Sequence, residues 1–442
     1  MLAFIIELFK VPAVILGLVA MIGLILQKKS FGDVFSGTVK TAIGMLIVSA
    51  GAGMIVNEII PFSVVFTQVF NLQGFATGSE AVSGALQSAV PAISATSAAI
   101  MGLGFLVNIV LARFTPLKYI FLTGHMLWIL SVVVASGLVF AGYSEIETII
   151  WGSAIQGLVS IILPAIAQTS VEKVTKNSNF ALGHLTNIGT VAAGYVGGLV
   201  GNKEKDAESL KLPAYLNFFK DTAISVSIVM GLFYLGLFLI AGPTKVAELT
   251  AGQNYIIFAI LKALGFTAGI LILLQGIRLF LGELVPSFKG ISDKIVPGAI
   301  PALDVPVLFG FAPNSLMIGF LTGIIGMLIG MVVSSLVFGV VPLISIIGSF
   351  FTGGTAGIFG NSRGGVRGAS VAGAVYGFIL IFFSGMFTHF VNLSQYGIKG
   401  IGHDCTDAVA VSFLLQNPIL GTGLLVVFYI VLCLFKKRKA TA

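Results

Sequence analysis

The stretch FLGELVPSF, residues 280–288, closes a long apolar run with a carboxylate, Glu283, which a proline follows three residues later. The stretch VNEIIPF, residues 56–62, places Glu58 and a proline at the same spacing after another apolar run. The two glutamates are separated by 283 − 58 = 225 residues. One Glu-x-x-Pro is a chance occurrence, but two that each close an apolar run indicate that the chain is built twice.

The composition of the chain is that of a membrane protein. It has 442 residues, of which 57% are hydrophobic and only 9% charged, whereas a soluble domain carries about a quarter charged residues. Runs near the ~20 residues that span a bilayer recur along the chain. They lie at 11–27, 41–60, 99–112, 119–142, 147–168, 222–242, 254–281, 315–342, 369–390 and 417–435. The sequence therefore predicts an all-α polytopic membrane protein.

The basic residues orient these predicted spans. The terminal KKRK, residues 436–439, is expected on the cytoplasmic side, where lysine and arginine accumulate. Most other basic residues fall on the same side if the N-terminus lies outside and the number of spans is odd. The glycine-rich stretch 341–360 supplies the missing crossing. We therefore expect about eleven transmembrane helices, with the N-terminus outside and the C-terminus cytoplasmic.

This parity makes the second span run outward and the seventh run inward, each ending at its Glu-x-x-Pro. The offset of 225 residues that relates the glutamates (283 − 58) also aligns Gly51 with Gly276. Equivalent segments of opposite orientation are typical of the inverted-topology repeats of secondary-type transporters. The predicted repeats cover residues 1–212 and residues 213–442, and the second includes the final span.

After each Glu-x-x-Pro comes a stretch that is too broken by glycine and proline to span, at 71–95 and at 289–315. Irregular backbone at membrane depth must be buried in protein or line a cavity, so we expect two re-entrant hairpins that face a substrate. Asp304 in the second hairpin is the strongest binding candidate, because an ionisable residue inside a membrane is costly. Ser79 and Glu80 occupy the first hairpin, where binding and structural roles both remain open.

Two histidines follow glycines in apolar surroundings, His125 in LTGHM and His184 in FALGHLTN. A lone membrane histidine is commonly a satisfied structural residue. His184 differs because Asn179, Thr186 and Asn187 surround it. Both a structural role and a binding role therefore remain open for it.

Several functions are disfavoured by the sequence. No G-x-x-x-x-G-K-[ST] motif for nucleotide binding occurs. We find no metal-ligand spacing, no nucleophile–base pair and no sign of a cofactor, and the two cysteines, Cys405 and Cys433, are too few for a disulfide framework. The formal net charge is +7, and the basic residues lie in short predicted loops. This distribution indicates membrane topology rather than nucleic-acid binding.

Blocks of this sequence resemble the ascorbate-type enzyme IIC permeases of the bacterial phosphotransferase system. The resemblance runs in order through nearly the whole chain. The blocks are SGTVKTAIGMLIVSAGAG (36–53), IFLTGHMLW (120–128), VFAGYS (139–144), FALGH (180–184), ESLKLPAYLNFFKD (208–221), QGIRLFLGELVPSFKGISDKIVPGAIPALD (275–304), FAPNSLMIGF (311–320) and IFGNSRGGVRGA (358–369).

The resemblance implies a homodimer in the bacterial inner membrane, with a core domain and a V-shaped dimerisation domain that interleave both halves of each protomer. It implies that the core carries the sugar across by an elevator-like movement. A separate enzyme IIB, which enzyme IIA phosphorylates, then phosphorylates the sugar. This chain would be the transport component and would hold no catalytic phosphoryl site. The alternative is a gradient-coupled secondary transporter that uses Glu80, Asp304 and His184 as proton sites.

The resemblance also implies a binding site. His184 and Asp304 match residues that hold the sugar in the ascorbate transporters. Aliphatic side chains replace the glutamines of those transporters at three positions, and Ser79–Glu80 replaces a threonine–tyrosine pair. A site that loses amides loses hydrogen bonds to hydroxyls, so we expect weak ascorbate binding. The predicted substrate-binding residues are His184, Asp304, Ser79, Glu80, His125, Ile129, Leu130 and Leu185.

Overall fold

The structure is a computed structural model that describes residues 12–70, 74–75, 77–177, 179–209, 222–391 and 400–441. The predicted boundary between the two repeats, at residues 212 and 213, lies outside the described residues. So does most of the sequence block at 208–221.

Helices make up most of the described chain. They are α1 Pro12–Leu26, α2 Phe31–Val69, α3 Ser79–Ala89, α4 Pro91–Phe114, α5 Gly124–Phe140, α6 Glu145–Thr175, α7 Asn187–Val200, α8 Thr222–Thr250, α9 Tyr255–Lys294, α10 Pro313–Phe338, α11 Ile346–Phe390, α12 Thr406–Leu414 and α13 Pro418–Thr441. Within the described residues, 8 helices are long and apolar enough to cross a membrane, and α1, α5 and α7 are shorter apolar helices. The prediction of an all-α polytopic membrane protein is confirmed.

Local sequence explains where several helices begin and end. Ser144 caps α6 through a capping box, in which Glu147 bonds back to the cap residue. At the other end of α6, Lys176 adopts a left-handed conformation that ends the helix. The sequence predicted that two spans end at their Glu-x-x-Pro motifs, and the structure shows that the helices themselves extend past both motifs. α2 continues beyond Pro61, and α9 continues beyond Pro286. A proline inside a helix removes one backbone hydrogen bond, and the residues after it return to the helical hydrogen-bonding pattern.

α11 is two arms joined by a sharp reversal. Gly364 and Gly365 leave helical geometry, and Gly365 has φ 59, in the left-handed region that favours glycine. Beyond the reversal the arms pack closely, and a Cβ on Gly360 would overlap the carbonyl oxygen of Gly368. The first arm coincides with the glycine-rich stretch at 341–360 that the sequence analysis interpreted as a separate crossing.

The first broken stretch also folds back. Val90 breaks the helical path between α3 and α4. Gln87 on α3 donates to Ser97 on α4 at 2.9 Å, although residues ten apart on one straight helix lie about 15 Å apart. Trp128 on α5 donates to the same glutamine at 3.2 Å. These bonds hold α3 against both neighbouring helices.

α2 and α9 pack along their glycines. A Cβ on Gly51 would overlap the backbone of Leu273, and a Cβ on Gly276 would overlap the backbone of Val48. Small residues allow helix backbones to approach closely in a membrane. These two contacts are reciprocal, because each pair maps onto the other by the same offset of 276 − 51 = 225 residues.

Ion pairs join the same two helices at either end. Lys262 lies 2.8 Å from Glu58, and Lys40 lies 3.1 Å from Glu283. Lys40 and Glu283 lie far apart in the sequence, and the crossing of α2 and α9 brings them together.

A small parallel sheet lies within the helical fold. Its strands are β1 Tyr119–Phe121, β2 Ala181–Leu182 and β3 Ile300–Leu303, in the order β1-β3-β2. Asn108 on α4 closes the outer edge of β1, since its amide donates to the carbonyl of Tyr119 and accepts from the backbone N–H of Phe121. Backbone polar groups inside a membrane protein need such partners.

Candidate functional site

Three of the predicted site residues come within four residues of the ends of the three strands. Because the strands are parallel, their carboxyl ends meet at one edge of the sheet. Asp304 comes immediately after β3, His184 comes two residues after β2, and His125 lies at the start of α5, after β1. The sheet therefore brings together residues that lie far apart in the sequence.

The two imidazoles face the same carboxylate. Nε2 of His125 lies 3.7 Å from Oδ2 of Asp304, and Nε2 of His184 lies 3.7 Å from Oδ1. Both distances exceed a hydrogen bond. The backbone N–H of Val305 donates to Oδ1 at 2.7 Å and orients the carboxylate. The three groups therefore converge at one edge of the sheet without direct hydrogen bonds between the imidazoles and the carboxylate.

Burial differs among the three side chains. His184 is 3% exposed, Asp304 28% and His125 40%, so the cluster is enclosed on one side and open on the other. Gly183 makes the enclosed side possible, because a Cβ there would lie 2.6 Å from the carbonyl oxygen of Ala302 on β3. Asn187 donates to the carbonyl of Leu182 and closes the turn that carries His184.

Ser79 joins this neighbourhood through a residue that the sequence analysis did not single out. Oδ1 of Asp404 accepts from the backbone N–H of Ser79 at 3.1 Å and from its hydroxyl at 2.6 Å. The Asp404 carboxylate is also within electrostatic range of His184. Glu80 is the second residue of α3, and its side chain lies outside the described part of the structure.

The three aliphatic site candidates are enclosed. Ile129, Leu130 and Leu185 are all 0% exposed. The carbonyl of Leu185 accepts from the backbone N–H of Asp407 at 2.9 Å, so this residue contributes its backbone to the fold around the site. Their side chains belong to the packed core and do not form an open wall of the cluster.

Sequence reasoning missed two carboxylates, Asp404 and Asp407, in the segment GHDCTD. Asp407 is fully buried and accepts from the backbone N–H groups of Ile188 and Gly189, at the start of α7. The segment lies between the apolar runs at 369–390 and 417–435. Two acidic residues three apart beside a histidine were the available signal.

The sequence shows no metal-ligand spacing, but the fold brings three potential metal ligands together. One donor atom from each of His125, His184 and Asp304 lies within 4.8 Å of the other two. Two imidazoles and a carboxylate are ligands that zinc and related ions accept. No short sequence spacing indicates this set of metal ligands, because each residue follows a different strand.

A separate cavity of about 480 Å³ lies between α7, α11 and α12. Its walls are almost wholly apolar, with Asp407 and Thr406 among the lining residues. The three residues of the His–Asp cluster do not line it. This cavity is therefore distinct from the polar His–Asp cluster.

Membrane-length helices around a partly enclosed polar cluster define an integral membrane protein of the transporter class. The chain belongs to the family described as PTS system sugar-specific permease component, whose model matches residues 7–414. The chain is also similar to the ascorbate-specific PTS system EIIC component of Mycoplasma pneumoniae (strain ATCC 29342 / M129 / Subtype 1). The two are 27% identical over 426 residues, which cover 84% of this chain and 64% of that relative. The chain thus spans just under two thirds of the relative's length.

Proposed function

We propose that this chain is the enzyme IIC component of a bacterial phosphotransferase system and carries ascorbate or a related sugar or sugar acid across the inner membrane. A separate phosphorylated enzyme IIB, supplied by enzyme IIA, phosphorylates the sugar on the cytoplasmic side. Membership of the sugar-specific permease family supports this reaction class. The observation that carries the site is the convergence of His125, His184 and Asp304 at the ends of three strands.

These residues suit a polyhydroxylated ligand. The Asp304 carboxylate accepts hydrogen bonds from hydroxyls, and each imidazole can donate or accept through Nε2. A hydroxyl oxygen placed between an imidazole and the carboxylate replaces a 3.7 Å gap with two hydrogen bonds. Such charge-assisted bonds are each worth about 1.5–3 kcal/mol. Asp404 extends the polar surface towards Ser79.

We further propose that the two halves of the chain are inverted repeats, as the sequence predicted. The reciprocal contacts of Gly51 and Gly276, each with the backbone of the facing helix, support this relation. A pseudo-two-fold axis between α2 and α9 requires such reciprocity. If a residue of one helix contacts a residue of the other, the equivalent of the first residue must contact the equivalent of the second. An elevator-like movement would then carry the His–Asp cluster relative to this pair of helices, in a homodimer with the N-terminus outside.

The experiment is uptake and phosphorylation of a panel of sugars and sugar acids, ascorbate included. Proteoliposomes hold the full chain, with and without phosphorylated enzyme IIB. We expect one panel member to be taken up and phosphorylated only when phospho-IIB is present. Uptake that follows a proton gradient and ignores phospho-IIB would instead support the secondary transporter.

The same assay tests the site. Asp304→Asn and His184→Ala should each reduce uptake at least tenfold, because about 1.5–3 kcal/mol corresponds to roughly 10- to 150-fold. His389→Ala is the matched control, since this histidine is exposed near the end of α11. Normal uptake in both Asp304→Asn and His184→Ala would show that the cluster does not bind the transported sugar.

A further inference from the structure

We propose that His125, His184 and Asp304 form a binding site for a transition-metal dication of the Zn²⁺ class, and that metal and sugar exclude each other there. The metal site stands on the geometry of the cluster alone. Only the mutual exclusion rests on the proposed function.

The distances between donor atoms suit a small dication. The two Nε2–Oδ separations are 3.7 Å, and all three donor atoms lie within 4.8 Å of one another. Zinc bonds of about 2.0–2.1 Å in a tetrahedron place neighbouring donor atoms roughly 3.3 Å apart. Closing each 3.7 Å separation to that spacing takes a few tenths of an ångström, and closing the 4.8 Å upper bound takes up to about 1.5 Å, which rotation of the partly exposed His125 and Asp304 side chains can share.

The donor set and its exposure select the type of ion. Two imidazole nitrogens and one carboxylate suit zinc, cobalt and nickel, whereas calcium and magnesium prefer oxygen ligands. The partial exposure of His125 and Asp304 leaves a coordination position open to water. Three protein ligands with one open position are the pattern of accessible zinc sites rather than of closed structural ones.

The surroundings predict a moderate affinity. The backbone N–H of Val305 holds the Asp304 carboxylate in orientation, which favours binding. Against this, Nδ1 of His184 is buried and has no hydrogen-bond partner within the described residues. Metal-ligating histidines usually donate from the second nitrogen, and such outer partners contribute about 10- to 100-fold in affinity. We therefore expect binding in the micromolar range rather than the nanomolar range.

Cobalt(II) is the probe, because its visible absorption reports the coordination of the bound ion. The full chain, purified in detergent, is titrated with CoCl₂ and then with ZnCl₂. We expect one Co²⁺ per protomer, visible bands typical of four- or five-coordinate cobalt, and displacement by Zn²⁺. A titration that shows only hexaaquo cobalt would overturn the proposal.

Variants locate the site. His125→Ala, His184→Ala and Asp304→Ala should each weaken cobalt binding by about tenfold or more, because losing a ligand costs no less than losing its outer partner. His389→Ala should leave the titration unchanged. Equal cobalt affinities in all four variants would show that any bound cobalt lies elsewhere and would overturn the proposed site. Far-UV circular dichroism of each variant separates loss of a ligand from loss of the fold.

Adding ascorbate to the titration tests the exclusion, with a protein-free blank for chelation by the sugar. If both bind this cluster, ascorbate raises the apparent cobalt dissociation constant by a factor of one plus the ratio of the ascorbate concentration to its own dissociation constant. Cobalt binding that depends on the cluster but ignores a sugar the protein transports would place the sugar site elsewhere. Transport that depends on the cluster without any cobalt spectrum would overturn the metal site and leave the proposed function standing.

Discussion

Asp404→Asn is predicted to loosen α3 without unfolding the protein. In the structure α3 begins at Ser79 after Gly78, which offers no side-chain cap. The Asp404 carboxylate takes that place from another part of the chain, by accepting from the backbone N–H of Ser79 at 3.1 Å and from its hydroxyl at 2.6 Å. A negative charge at a helix N-terminus stabilises the helix.

The expected loss follows from these two contacts. Asparagine keeps an acceptor oxygen but removes the charge. Charge-assisted hydrogen bonds are about twice as strong as neutral ones, and charge at a helix end adds about 0.3–1 kcal/mol. Together these terms give a loss of about 1–2 kcal/mol for local opening of α3, which corresponds to a factor of about 5–30 in the opening equilibrium.

Hydrogen–deuterium exchange measured by mass spectrometry is the assay, because it reports local opening region by region. Peptides from α3 should exchange about 5–30 times faster in Asp404→Asn, while peptides from α6 stay unchanged. Asp33→Asn is the control, since Asp33 is an exposed carboxylate in the first turn of α2. Exchange in α3 that stays within about twofold of the unmodified protein would refute the capping role, because one or two kcal/mol cannot produce so small a change.

Three further predictions concern packing and ion pairing. Gly276→Ala should lower the free energy of unfolding in detergent by about 1–3 kcal/mol, because its Cβ would overlap the facing helix. Gly53→Ala should cost much less, because the space around Gly53 is open, and equal losses in the two variants would contradict the close packing. A double-mutant cycle that replaces Glu58 and Lys262 with alanine should give a coupling free energy of about 1 kcal/mol or more, since the pair is only partly exposed. A coupling free energy near zero would show that the contact does not stabilise the protein. Leu185→Gln should lose about 1–3 kcal/mol of stability through an unpaired buried amide and gain no ascorbate affinity; a gain in binding at unchanged stability would show that this side chain reaches the site.

The sequence by itself determined the class of fold. Crossing a bilayer requires about 20 consecutive apolar residues, and this property is read from neighbouring positions alone. The composition and the apolar runs therefore predicted a polytopic helical protein, and the family blocks predicted the permease family. The cost of an ionisable group inside a membrane singled out His184 and Asp304, which the fold brings together.

Only the tertiary structure decided which residues meet. The strands are two to four residues long, too short to show a period, and their pairing is set by helices packed from distant parts of the chain. Asp404 reaches Ser79 and Lys40 reaches Glu283 for the same reason. Whether Leu185 lines a pocket or fills the core depends on how the surrounding helices close around it. Local patterns record which residues can enter a membrane, whereas packing between distant segments decides what each of them touches.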